Sequence, residues 1–222
     1  MNLVQISILW LIGASVIGFG MSAIFSGWLK LSRRIFLIPY IAASGLVLFL
    51  FLNNNPIVSN EFWFHNWDWG LAASIIAGAF LIKNVLSQPY SRTEKGMSLY
   101  LDLVWFGLAY GIIDGLFLNV LPVVAVLNIF SDSNLSGNIP GQILIGFLAL
   151  MASLIVTLFY HLGYPEFRNK SVILVLLGNT IITLTFIISG NPLSAVLTHT
   201  VMHIAAVFRG PETTIQLPPH YQ

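Results

Sequence analysis

Five ionisable residues lie inside long apolar runs of this 222-residue chain, where a polar group is costly and is a candidate for function by default. They are Asp102, Asp114, His161, His199 and His203, and of these Asp102 lies near the inner boundary, where an interfacial position is expected. His199 and His203 are four residues apart, and this spacing places both imidazoles on one face of a helix. Two imidazoles on one face can bind a metal ion or occupy two points of a catalytic site, where a carboxylate such as Asp114 can act as general base. The alternative is that these side chains only form hydrogen bonds between neighbouring helices.

Asp114 stands beside a stripe of small residues. Gly107, Gly111 and Gly115 follow one another at intervals of four residues, and such a stripe lets a second helix approach closely. The pattern predicts that the Asp114 carboxylate is held against a neighbouring helix, with Asn119 on the same polar face.

The depth of each residue in the membrane indicates which of them can meet. With a rise of about 1.5 Å per residue, Asp114 lies about 16 Å and His199 about 13 Å from the inner ends of their apolar runs. These two side chains can therefore meet near the middle of the membrane. His161 lies within about 5 Å of the inner boundary, and it joins them only if its helix is shifted or tilted, or if an inner cavity reaches it. A second grouping, of Asp102, His161 and His203, is open nearer the cytoplasm.

The elements that must position these residues are transmembrane helices. Hydrophobic residues make up 57% of the chain and charged residues 8%, whereas about a quarter of a soluble domain is charged. Apolar runs of about twenty residues can cross a hydrocarbon core of about 30 Å, and in lipid they must be helical because their backbone groups need internal partners. The sequence predicts one all-α, polytopic transmembrane bundle in residues 1–209, followed by a short cytoplasmic tail, 210–222. The bundle has about seven spans: 5–27, 35–53, 69–87, 99–126, 141–163, 171–189 and 192–208.

All nine Lys and Arg residues are predicted to lie on one side of the membrane, whereas the opposite loops carry only acidic charges, at Glu61, Asp68 and Asp132. The positive-inside rule then places the N-terminus outside and the C-terminus in the cytoplasm, as expected of a multi-pass protein of the plasma (inner) membrane. The net charge of +1 gives no electrostatic reason to expect a nucleic-acid partner. The absence of cysteine excludes thiolate nucleophiles and cysteine-bound metals.

Residues 99–208 resemble the CPBP family of intramembrane proteases, the CAAX-processing and bacteriocin-protection group. That family carries Glu-Glu-x-x-x-Arg, Phe-x-x-x-His and His-x-x-x-Asn-like motifs, in this order, on three core helices. In this chain residues 114–119 fall at the first motif, 157–161 at the second and 199–203 at the third. The resemblance implies an intramembrane hydrolase in which Asp114 activates a water while His161, His199 and His203 complete the catalytic site.

Several motif positions depart from the family pattern. Asp114 stands near the place of the paired glutamates, the arginine is missing, Thr157 replaces the phenylalanine and His203 replaces the asparagine. An aspartate is one methylene shorter than a glutamate, and a displaced base loses much of its effect. The resemblance therefore implies an altered site, in which proteolysis is changed or lost.

Other functions are open beside a hydrolase. Seven-span hydrolases of the alkaline ceramidase and progestin/adiponectin-receptor type also have a His-x-x-x-His pair on span seven, but they complete a zinc site with a span-two histidine that this chain lacks. If a metal or haem is bound here, the candidate ligands are His161, His199 and His203. A non-catalytic membrane scaffold or assembly factor is the remaining alternative. In every case the lipid bilayer is a partner, and a hydrolase would act on a membrane-embedded peptide or lipid.

Overall fold

The computed structural model describes residues 2–92, 95–210 and 215–217. In this part of the chain eight helices and two short 3₁₀ turns form the regular structure, and no strand occurs. The helices are α1 (Leu3–Trp28), α2 (Arg33–Asn53), α3 (Asn60–Phe64), α4 (Trp67–Ser87), α5 (Met97–Ile129), α6 (Ile139–Leu162), α7 (Ser171–Ser189) and α8 (Pro192–Arg209). The 3₁₀ turns, Asn134–Gly137 and Pro165–Phe167, lie in the loops before α6 and α7. The predicted all-α bundle is confirmed.

Six of the described helices are long and apolar enough to cross a membrane, namely α1, α2, α4, α5, α6 and α7. Their outward faces carry large exposed hydrophobic side chains such as Phe49, Ile76 and Ile188, as expected of a surface in contact with lipid. The sequence predicts α8 as a seventh span, but this helix falls outside the group of six. Twelve of its 18 residues are buried, so α8 faces protein and can carry polar side chains that a lipid-facing helix cannot. The exact number of spans stays a prediction.

α5 and α8 form the centre of the bundle. In α5 72% of the most apolar stretch is buried, against 17% in α1. A Cβ atom on Gly111 would lie 2.8 Å from the Cα of Thr200, and one on Gly115 would lie 2.8 Å from the Cα of Val196. Because only glycine allows this distance between the two backbones, the close approach predicted from the glycine stripe is confirmed, and the neighbouring helix is α8.

α5 contains two π-helical segments, Leu103–Ala109 and Gly115–Val120, one on each side of Asp114. Such segments within α-helices are frequent at functional sites. The sequence leads us to expect that Pro122 kinks or ends this helix. The helix instead continues to Ile129, because Pro122 lies in the first turn of the α-helical segment that follows the second π-helix, where a missing N–H is tolerated.

Contacts between loops bring the basic residues to one end of the bundle, here named the basic end. There Arg34, in the first turn of α2, pairs with Asp102 near the start of α5 at 2.8 Å. Arg209, at the end of α8, donates from Nε to the carbonyl of Gln88 after α4 at 2.5 Å. The helix ends that the sequence predicts to be cytoplasmic therefore lie together.

The opposite end is held by Asn191, which caps α8. Its Nδ2 donates to the carbonyls of Trp63 and His65 at 3.1 and 2.6 Å, and its Oδ1 accepts from the backbone of Leu193. The segment between α2 and α4, which contains α3 and several aromatic residues, is thereby fixed against the first turn of α8.

Part of the predicted tail packs against the basic end. Residues 211–214 and 218–222 lie outside the described residues. Leu217 is buried, the backbone N–H of Ile215 donates to Oε1 of Gln88 at 3.2 Å, and Nε2 of Gln88 donates to Oε1 of Gln216 at 3.0 Å. The described tail residues therefore belong to the packed bundle.

Candidate functional site

Asp114 is buried between α2, α5 and α8. Tyr40 of α2 donates its hydroxyl to Oδ1 of Asp114 at 2.5 Å. The Tyr40 ring is itself buried, and it stacks on Tyr160 of α6 with ring centroids 5.0 Å apart. Because one carboxylate oxygen is held by a packed phenol, the other oxygen, Oδ2, is directed at α8.

Both histidines of α8 face Oδ2 of Asp114. Nε2 of His199 lies 3.9 Å and Nε2 of His203 lies 3.8 Å from this oxygen, and the two imidazole planes are 4° apart with centroids at 5.0 Å. The predicted meeting of Asp114 with His199 is confirmed. Sequence spacing placed the imidazoles on one face, and the glycine stripe of α5 brings that face to the carboxylate.

The Asp114 carboxylate and the two imidazoles are too far apart for direct hydrogen bonds, but a bound water or ion could bridge them. Two groups that share one water at about 2.8 Å from each can be at most about 5.6 Å apart. Two ligands of one zinc ion at about 2.1 Å from each can be at most about 4.2 Å apart. Both Asp–His separations fall below these limits. Ligand atoms of Asp114, His199 and His203 all lie within 4.8 Å of one another, a span that is below the limit for a shared water and above the limit for zinc. The arrangement can therefore bind a water between carboxylate and imidazoles, and a metal ion bound by all three groups would need the two imidazoles to lie closer together.

His203 differs from His199 in its hydrogen bonding. Neither ring nitrogen of His203 has a hydrogen-bond partner among the described residues, although both nitrogens are buried. Its ring packs against Tyr110 at a centroid distance of 4.6 Å. A buried polar group without a partner destabilises a protein, and in a native site it indicates a bound partner such as a water, ion or substrate.

His161 lies nearby but outside this close group. Its Nδ1 contacts the carbonyl of Thr157 at 2.8 Å, and its ring packs on Tyr160 and Phe167. The sequence names His161, His199 and His203 as metal ligands. The structure places the Asp114 carboxylate, rather than His161, beside the other two, so His161 as a ligand stays a prediction.

Asp102 does not belong to the site. The alternative grouping of Asp102 with His161 and His203 is not what the structure shows, because the Asp102 carboxylate pairs with Arg34 at the basic end. His203 lies instead beside Asp114. Depth along the helix left this grouping open, because depth does not show in which direction the Asp102 side chain points.

A cavity of about 580 Å³ joins the site to the surface of the bundle. Asp114, His161, His199 and His203 all line it, so the four predicted residues share one space. Its outer walls are Phe80 of α4 with Leu174, Leu177 and Gly178 of α7, and its end toward the basic side is lined by Gln88 and Gln216. Phe80, Leu174 and Leu177 are 57%, 59% and 57% exposed. The cavity therefore reaches the lipid-facing surface between α4 and α7.

Two kinds of site residue were missed by sequence reasoning. Tyr40 lies in α2, a span that contains no histidine and no acidic residue. Asn179 and Ser153 are polar residues within apolar runs, and they form a hydrogen-bonded network with Asn119 and His199. The available signal was that an amide side chain such as Asn179 is rare in a membrane helix and faces protein.

A scan of the chain against protein-family models found no match, and neither curated protein sequences nor solved structures gave one. The geometry of the site is therefore the basis on which a function can be inferred.

Proposed function

We propose that this protein is an intramembrane hydrolase in which Asp114 is the general base for an attacking water. The observation that carries the proposal is the convergence of a buried carboxylate with two imidazoles at a shared cavity that reaches the lipid-facing surface. The three sequence segments that resemble CPBP motifs lie on α5, α6 and α8, and each contributes a residue to this cavity. This convergence supports the family resemblance as well.

The proposed reaction begins with a water between Oδ2 of Asp114 and the imidazoles. Asp114 takes one proton, the water oxygen forms a bond to the carbonyl carbon of the substrate, and the carbonyl becomes an oxyanion. An imidazole N–H stabilises that oxyanion. The proton on Asp114 then passes to the leaving group as the scissile bond breaks, and the carboxylate is regenerated.

The substrate of this hydrolase is a membrane-embedded peptide or lipid. The walls of the cavity on α4 and α7 are mainly apolar, and they meet the lipid-facing surface. An apolar molecule can enter there from the bilayer without first being transferred into water. We propose further that α8 is a seventh span and that the basic end is cytoplasmic, which is supported by the clustering of basic residues there.

The test is to measure hydrolysis in proteoliposomes with two probes, a quenched fluorescent transmembrane peptide and a quenched fluorescent phospholipid. Asp114→Asn keeps the size of the side chain but removes the base, so we expect the turnover rate to fall by about 10²–10⁴-fold with unchanged expression. Asp102→Asn is the matched control, a buried carboxylate at the basic end, and it should keep its activity. Full activity in Asp114→Asn would refute the proposal.

A divalent metal ion is the second candidate for the centre of the site. The favouring observation is that a carboxylate and two imidazoles present ligand atoms within 4.8 Å of one another, which is the donor set of many catalytic zinc sites. Metal analysis of the detergent-purified protein and of His199→Ala/His203→Ala tests it. A stoichiometric metal that is lost in the double variant supports the metal centre, whereas a metal-free wild type that hydrolyses a probe excludes it.

A further inference from the structure

A hydrogen-bonded network of four polar side chains lies behind His199, on the side away from Asp114. Nδ1 of His199 contacts Oδ1 of Asn119 at 2.9 Å. Nδ2 of Asn119 donates to Oδ1 of Asn179 and to Thr183, both at 2.8 Å. Nδ2 of Asn179 donates to Oγ of Ser153 at 2.9 Å. The network joins α5, α6, α7 and α8, and every side chain in it is buried.

The far end of the network has a fixed direction, because it ends on a backbone carbonyl. Oγ of Ser153 donates to the carbonyl oxygen of Leu118 at 2.6 Å. A carbonyl can only accept, so the single hydroxyl proton of Ser153 is committed to it. Oγ of Ser153 also lies 2.8 Å from the hydroxyl of Thr183, and Thr183 is then the donor in that pair. Leu118 is four residues before Pro122, which has no N–H to give to that carbonyl. The Leu118 carbonyl therefore receives no hydrogen bond from residue 122, and Ser153 donates to it.

The donor in each further hydrogen bond, from Ser153 to the His199 imidazole, follows from the donor role of Ser153. Since the Ser153 proton is used, its oxygen accepts from Asn179, and this places the amide nitrogen of Asn179 toward Ser153 and its oxygen toward Asn119. Oδ1 of Asn179 accepts from Nδ2 of Asn119, so Oδ1 of Asn119 faces His199. An amide oxygen is only an acceptor, and Nδ1 of His199 must therefore carry a proton.

We infer that Ser153, Asn179 and Asn119 are positioning residues that hold His199 as the Nδ1–H tautomer. In the neutral ring the lone pair is then on Nε2, the nitrogen that faces Asp114. His199 is therefore an acceptor at the site, and it takes a hydrogen bond from the attacking water while Asp114 takes the other. The catalytic meaning of this tautomer rests on the proposed function, but the tautomer itself does not.

The two imidazoles then have different roles in the reaction. His199 is locked by the network, whereas His203 has no hydrogen-bond partner among the described residues and its tautomer is free. His203 can therefore present an N–H to the oxyanion that forms as the water attacks. One imidazole orients the water, and the other stabilises the charge that develops.

The experiment that tests the inference is solid-state NMR on the full chain in lipid bilayers, with ¹³C,¹⁵N-labelled histidine. The His199 signals are assigned by their loss in His199→Gln. We expect a neutral His199 ring with the proton on Nδ1 only. Signals of a ring protonated on Nε2, or on both nitrogens at neutral pH, would overturn the inference.

Ser153→Ala removes the fixed end of the network without touching His199. The amides of Asn179 and Asn119 are then free to turn over, and we expect the Nε2–H tautomer of His199 to appear beside the Nδ1–H tautomer. Ser74→Ala is the matched control, because Ser74 is also a buried helical serine but bonds only to carbonyls of its own helix. An unchanged tautomer in Ser153→Ala would contradict the role of the network.

A second variant keeps the test informative if Ser153→Ala folds poorly. Asn119→Asp retains an oxygen that accepts from Nδ1, so His199 should keep its tautomer, although the two hydrogen bonds donated by Asn119 are lost. A residue that only supported the fold would show no such selectivity. Loss of the Nδ1–H tautomer in Asn119→Asp would refute the inference.

The two proposals can fail separately. In the hydrolysis assay Ser153→Ala should lower kcat and leave KM unchanged, since the water rather than the substrate is misplaced. If the NMR result holds while Asp114→Asn stays fully active, the tautomer assignment stands and the hydrolase proposal fails. If Asp114→Asn is inactive while His199 shows the Nε2–H tautomer, the hydrolase proposal stands and the positioning network is wrong.

Discussion

The two sides of His199 differ in how completely their polar groups are paired. Behind His199, each amide and hydroxyl group of the network from Asn119 to Ser153 has a partner at hydrogen-bond distance. In front of it, His203 has no partner among the described residues, and Asp114 faces both imidazoles at distances too long for a direct bond. A paired network stabilises the fold, while unpaired groups keep a site ready for a ligand at a cost in stability. Substitutions behind His199 should therefore mainly lower stability, and substitutions in front of it should mainly lower activity.

The sharpest test of that separation compares His203→Leu with Asn119→Leu, two apolar replacements of buried side chains. His203→Leu removes groups that have no partner, so thermal stability in detergent should be unchanged or raised. Because the oxyanion loses its proposed donor, turnover of the probes should fall by about 10²–10³-fold.

Asn119→Leu should instead mainly lower the stability of the protein. It leaves Nδ1 of His199 and Oδ1 of Asn179 without their partners, at about 1–3 kcal/mol for each orphaned group. Its unfolding midpoint should fall well below that of wild type. If both variants lost stability equally, the two sides of His199 would not differ as proposed.

A smaller effect is expected at the wall of the cavity. Gly178 of α7 lines the cavity, and a Cβ atom built there meets nothing within 4 Å. Gly178→Trp should therefore fill the opening toward the lipid without strain and reduce turnover by about tenfold, because substrate entry is hindered. Gly45 of α2 is a matched control with equally open surroundings and no part in the cavity. Equal activity in Gly178→Trp and Gly45→Trp would argue against entry between α4 and α7.

The smallest effect is expected from Pro122→Ala. The new N–H at position 122 competes with Ser153 for the Leu118 carbonyl, so the network loses part of its fixed direction. Turnover should fall less than in Ser153→Ala, and the helix should gain slightly in stability. The double variant Pro122→Ala/Ser153→Ala should behave like Ser153→Ala alone, since both changes act on one hydrogen bond.

The sequence was sufficient for the all-helical bundle and for the meeting of Asp114 with His199. Both follow from periodic or one-dimensional quantities, namely apolar run length, the four-residue spacing on α8 and depth along a helix. The glycine stripe also predicted a close neighbour for α5. Its identity as α8 needed the structure, since small residues show that a helix packs closely but not against which partner.

The rest of the site depends on rotation about helix axes, which spacing within one span does not reveal. Nothing in the sequence relates Tyr40 of α2 or Ser153 of α6 to Asp114 or His199. Asp102 is an example of a residue that spacing and depth allow in the site but that the structure places elsewhere. Its depth allowed a place near His161 and His203, whereas its side chain turns to Arg34.

The order of synthesis gives the central position of α8 a further meaning. α8 follows the other seven helices that the structure describes, and membrane proteins assemble from helices that are inserted one after another. Until α8 arrives, Asp114 and Asn119 have no imidazole beside them. α8, in turn, carries polar side chains that are poorly suited to lipid and well suited to the cleft formed by α4, α5 and α7. The helices made before α8 therefore form the environment into which it inserts, and both histidines join the site only at that step.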